Sequence, residues 1–105
     1  GFAYAVGSTS CSGGPHFVDL ADPVNPVFAG CHIETVYTHD TQCVVYSGPD
    51  PDYTGREICF SSNETKVSII DVTDHSSSSL ISASDRIRRA TSGPPWSRGA
   101  FHAAM

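Results

Sequence analysis

Apolar residues in this chain come in short runs separated by turn formers. Phe17-Val18-x-Leu20 is one run, and it reads as a strand near residues 16–20. It stops at Asp22-Pro23-Val24-Asn25-Pro26, because the two prolines fix φ and remove two N–H donors. Val27-Phe28-Ala29-Gly30 leaves that turn as a second strand, near 27–31. The same pattern returns between Ser68 and Ser82. Asp19 and Asp71 are 52 residues apart, as are Asp22 and Asp74, and Phe17, Val18, Leu20 and Phe28 meet Ile69, Ile70, Val72 and Leu80 without a gap. A self-match at a fixed period of this size marks a repeat fold.

Further runs complete the picture. Phe2 to Gly7 predicts a strand of small and aromatic residues, followed by a Ser/Gly loop from Ser8 to Pro15. Thr41 to Tyr46 and Arg56 to Ser61 predict two strands joined by Ser47 to Gly55, a loop with two prolines, two aspartates and two glycines. Val67 to Val72 is the last clear strand. Folding 41–46 back on 56–61 about residue 51 sets Val44 opposite Ile58 on one face and Cys43 opposite Cys59 on the other. No stretch shows a helical period. The expectation is therefore all-β, with short antiparallel strands over residues 1–82. Ser, Arg, Gly and Pro dominate residues 83–105, which read as an irregular tail. Three to four strands per repeat is the size of a β-propeller blade, so about two blades are expected. A two-blade piece leaves sheet faces and edges uncovered.

Charge and cysteine content narrow the function classes. The net charge of −5 hides an asymmetry: residues 1–82 carry ten acids against two bases, and the tail carries one acid against four arginines. An acidic body is the wrong footprint for nucleic acid. No run approaches the length of a membrane span. The chain starts at Gly1 inside what looks like a strand, which reads as a fragment or a processed product. Four cysteines, Cys11, Cys31, Cys43 and Cys59, lack the close spacing of a zinc site. Paired disulfides are expected, with free buried thiols as the alternative, and disulfides imply an oxidising compartment. Four cysteines allow three connectivities. The hairpin register selects Cys43 with Cys59, since opposed residues lie within reach of a bridge, and leaves Cys11 for Cys31.

The run from Gly14 to Pro26, GPHFVDLADPVNP, resembles the LVIVD repeat. Tyr37 to Asp74, YTHDTQCVVYSGPDPDYTGREICFSSNETKVSIIDVTD, is similar to the choice-of-anchor B group of LVIVD-repeat proteins. The likeness covers about residues 2–75. It implies a β-propeller in a secreted or surface-anchored protein, with further blades as partners and a binding role rather than a reaction. The second copy departs from the motif, because Asp74-His75-Ser76-Ser77-Ser78 stands where Asp-Pro-x-x-Pro is expected.

Candidate sites are few. The recurring Asp19, Asp22, Asp71 and Asp74 are expected to bond the backbone of the turns that follow them. His39-Asp40 has no counterpart in the first repeat, which makes His39 a candidate metal ligand. On a strand, adjacent residues point to opposite faces and cannot share an ion. His16, His32, His75 and His102 lack the spacing of a zinc pair. Asp50 and Asp52 offer hard oxygens in a turn, as calcium prefers, with Glu57 as a third donor. A solvated acidic turn is the plain alternative. Asn63-Glu64-Thr65 fits the glycosylation pattern. There is no Gly-x-Ser-x-Gly elbow and no phosphate loop. The expected role is a non-enzymatic binding or scaffold module facing a protein or surface ligand, with no cofactor beyond calcium. The alternatives are a metal-dependent hydrolase or lyase at the propeller axis, with His39 among its ligands, and a calcium-stiffened spacer.

Overall fold

A computed structural model describes residues 1–85. The chain forms β1 (Phe2–Ala5), β2 (His16–Asp19), β3 (Val27–Cys31), β4 (Thr38–Val45), β5 (Glu57–Asn63), β6 (Lys66–Asp71) and β7 (Ser79–Asp85). The one helical element among the described residues is a 3-10 turn, Ser10–Gly13. Strands β1, β2 and β3 make a three-stranded antiparallel sheet, and β4 to β7 make a four-stranded one, each in chain order. The all-β expectation holds. Of the expected irregular tail, 83–105, residues 86–105 lie outside the described residues.

The repeat is structural as well as sequential. Val18 pairs with Phe28 and Asp19 with Val27, while Ile70 pairs with Leu80 and Asp71 with Ser79, so every register position moves by 52. The register shifts between Phe17 and Val18 in one sheet and between Ile69 and Ile70 in the other, again 52 apart. A bulge that recurs at the same place is a designed bend of the strand, not a local accident. The first strand of each trio moves by 56 instead: Tyr4 faces Phe17 and Phe60 faces Ile69. The connection from Tyr4 to Phe17 is therefore four residues longer than its counterpart from Phe60 to Ile69.

Strand β7 is an element that the apolar runs do not announce. It covers Ser79–Asp85, and so takes in three residues of the expected 83–105 tail. Strand β4 starts at Thr38 rather than Thr41. Of its extra residues, Thr38 is buried and donates to Asn63 Oδ1, while His39 and Asp40 are exposed on the sheet edge. The hairpin of β4 and β5 has the register read from the sequence, with Cys43 opposite Cys59 and Val44 opposite Ile58.

The two sheets pack face to face. Phe17, Cys59, Ile70 and Val72 are fully buried between them, with Tyr4, Ala29 and Cys43 at the margin. Phe17 comes from the first sheet, Cys59 and Ile70 from the second, and Val72 from the residue after β6. Both disulfides form as expected, Cys43–Cys59 inside this core and Cys11–Cys31 tying the β1–β2 loop to the end of β3. Cys11, Ser12 and Gly13 all have positive φ, a left-handed backbone that the Cys11–Cys31 bridge holds against the fold. Among the described residues no helix is long and apolar enough to cross a membrane.

Candidate functional site

Three polar side chains meet where the sheets join. Tyr4 reaches inward from β1, Glu57 opens β5, and His75 sits in the turn after β6. The Tyr4 hydroxyl donates to Glu57 Oε1 at 2.6 Å and lies 3.1 Å from His75 Nε2. His75 Nε2 is 3.0 Å from Glu57 Oε2. A phenol has one proton, and here it goes to Glu57. The His75 nitrogen must then donate to both oxygens, which assigns the proton to Nε2. Phe2 stacks on the His75 ring with centroids 3.6 Å apart, and Phe17 meets it edge-on at 5.4 Å. His75 is 8% exposed.

The electrostatics of this triangle favour holding over reacting. Burial, then the hydrogen bond and the negative charge of Glu57, push the Tyr4 phenol well above its ordinary value of 10.0. The fold thus keeps the phenol neutral, as a donor and not a nucleophile. A group whose pKa rises on folding gives stability that is complete below the unfolded value and is lost as pH rises past it. The urea midpoint should therefore fall as pH climbs above 10.0, and Tyr4→Phe should flatten that fall. Equal slopes in the two proteins would remove Tyr4 from the account.

The repeated aspartates do what their position predicts. Asp19 Oδ1 accepts from Ala21 N and Asp71 Oδ1 from Thr73 N. Asp22 Oδ1 accepts from Val24 N and Asp74 Oδ1 from Ser76 N. Each pair is again 52 apart. Asp71 adds a side-chain pair with Arg56. Burial pushes its carboxyl up, but the Arg56 and Thr73 hydrogen bonds together outweigh that and hold it low.

The metal candidates are not brought together. His39 is exposed and lies at the bulge in β4, between Thr38 and Asp40, with no cross-strand partner. Asp40 is exposed and accepts from Thr41 N. Asp50 Oδ1 accepts from Asp52 N, so the Asp50 carboxylate closes the turn. Glu57, the third donor expected there, faces Tyr4 and His75 instead. Among the described residues no three His, Cys, Asp or Glu side chains converge as metal ligands. Asn63 of the glycosylation pattern is buried, and its amide is engaged by the Thr38 hydroxyl and by Ser68.

His75 is the residue that the spacing argument passed over. It occupies the place of Pro23 in the first repeat, so the departure from Asp-Pro was itself the signal. A cleft of about 350 Å³ lies at the β5–β6 turn, lined by Tyr37, Glu64, Lys66 and Leu80 among others. A second hollow of about 240 Å³ opens on the far face of the four-stranded sheet, lined by Tyr46, Tyr53, Ile58, Phe60, Ile69 and Ile81 with Asp50. Compared with known protein families, curated proteins and solved structures, the chain matches none of them.

Proposed function

We propose that this chain is part of an LVIVD-type β-propeller of an exported or surface-anchored protein, and that it serves as a binding or scaffold module. One observation carries the reading. Strands β2 and β3 recur as β6 and β7 at an offset of 52, in register, in bulge position and in the aspartate bonds of the turns. That is how a repeat architecture is built, with each unit burying its face on its neighbour. The two disulfides support an oxidising compartment. The joint of Tyr4, Glu57 and His75 supports a role in setting one sheet against the next. The ligand would be a protein or a surface component, met by exposed loops.

The test takes the protein from the cells that make it. Thiol alkylation before and after reduction is read separately in the exported and cytosolic fractions. The expected result is protein in the exported fraction, with alkylation only after reduction. Cytosolic protein with four free thiols would overturn the export part. Metal titration of the chain and of His39→Ala tests the rest. A saturable site and a hydrolytic activity that both vanish in the variant would replace the scaffold by a metal-dependent enzyme.

A further inference from the structure

The turn before β7 meets the first sheet at a second point, through His32. This residue directly follows β3 and is 2% exposed. Its N–H donates to Pro15 O at 2.9 Å, and a Cβ on Gly14 would overlap its carbonyl, so its backbone is fixed on both sides. Ring Nδ1 lies 2.8 Å from Ser78 Oγ, and that hydroxyl lies 3.4 Å from Cys31 O. Ring Nε2 is buried and has no hydrogen-bond partner among the described residues. The contact does not recur: 52 residues before Ser78 stands Pro26, and 52 after His32 stands Ser84. It belongs to the joint between the sheets and not to either unit.

A neutral imidazole fits this place. A second proton turns both ring nitrogens into donors. Nδ1 can then donate to Ser78 Oγ, which donates in turn to Cys31 O. Nε2 has no acceptor, so the ring becomes a buried cation with an unmet donor, which is costly. Little stands by to offset that cost. Glu34, two residues on, favours the charged ring, but burial outweighs it and holds the ring's pKa below its ordinary 6.5. In the turn, Asp74 accepts from Ser76, and His75 is held by Tyr4 and Glu57. On the first-sheet side Gly14 and Pro15 carry no charge, and Cys11 and Cys31 are bridged. We propose that His32 is an acid-operated latch: in a mildly acidic medium its ring takes a second proton and leaves for water, and the Ser78 end of the turn lets go of the first sheet. The His75 end stays bound to Tyr4 and Glu57, so one edge of the joint opens while the other holds. The joint of a binding or scaffold module thereby answers to the pH around it. The latch stands on the contact itself, whatever the export route or the ligand.

Urea midpoints measured against pH test this. A base whose pKa is lowered on folding gives stability that is complete above its unfolded value and is lost as pH falls below it. The midpoint should therefore drop as pH falls from 6.5 toward 3.8, before Asp71 and Asp74 give up their share. His32→Asn can still donate to Ser78 and takes no proton, so most of that drop should disappear. An equal drop in both proteins would overturn the proposal. The parent protein supplies a measurement that no variant's folding can spoil. Ring-carbon NMR shifts follow the charge on His32, while amide exchange, corrected for its intrinsic pH dependence, follows residues 77–79. The ring should charge only below 6.5, and protection at 77–79 should fall with it while β5 and β6 keep theirs. A ring that charges with no loss of protection there would overturn the latch, and so would a ring that stays neutral down to 3.8.

Discussion

Replacing Cys43 and Cys59 together by alanine should cost at least about 3 kcal/mol, measured by urea unfolding against the parent protein. The bridge spans a sequence separation of 16, and that figure is the chain-entropy value for a closed loop of about 15 residues. A second cost adds to it. Cys59 is fully buried beside Phe17, Ile70 and Val72, so removing both sulfurs leaves a void at the centre of the joint. Cys11–Cys31 spans 20 residues and on loop length alone would count slightly more. Both of its cysteines are only half-buried, so no core void opens when they are replaced. The core pair should therefore be the costlier one to lose. If the Cys11/Cys31 double variant proves less stable, the core is misplaced. A small domain has about 5–15 kcal/mol in all, so either loss is a large share.

Much of this fold was legible because two levels agreed. The apolar runs gave six strands, and the 52-residue offset gave the pairing of turns. The Cys43–Cys59 bridge followed from a register, which side-chain alternation fixes wherever a face is buried. Strand β7 was less legible for a physical reason. Its open side faces no core, so Ser79 and Ser82 carry no apolar signal, and only Leu80 and Ile81 hint at a strand. The offset alone would have found it, since 27–31 moves to 79–83. Strand β4 began early because Thr38, His39 and Asp40 are polar and carry no apolar signal, although Thr38 is buried against Asn63.

The site was less legible than the fold. Glu57 was read as a calcium donor near Asp50 and Asp52, and spacing along the chain allowed that. What decided its role was Tyr4, 53 residues away, whose hydroxyl it accepts. His75 lacked any sequence partner because its partners lie far along the chain, Phe2, Tyr4 and Phe17 in the first sheet and Glu57 at the start of β5. A repeat argument finds what recurs, and the residues that lock one unit to the next are those that do not. Substituting His75 for the proline of the first repeat swaps a turn former for a ring that stacks on Phe2 and bonds Tyr4.

Gly30→Ala should destabilise the protein by about 3 kcal/mol or more, while Ser82→Ala, 52 residues on, should change stability by less than about 0.5 kcal/mol. Gly30 lies opposite Phe17 on the packed face of the first sheet. A Cβ there would overlap the His75 carbonyl, which is main chain on both sides. No rotamer can relieve such a contact, so the turn or the sheet must move. The turn is not free to move cheaply. His75 is stacked on Phe2 and bonded to Tyr4 and Glu57, and the Ser78 hydroxyl three residues on is 2.8 Å from His32 Nδ1. Shifting the turn loosens all of these together. Ser82 occupies the equivalent register position opposite Ile69, but on the open face, where it is exposed. Urea unfolding of dilute samples, below any self-association, compares the two variants directly. Equal costs would mean that the sheets do not meet at Gly30. A costly Gly30→Ala with lost amide protection in both β3 and residues 74–78 would locate the damage at the joint itself.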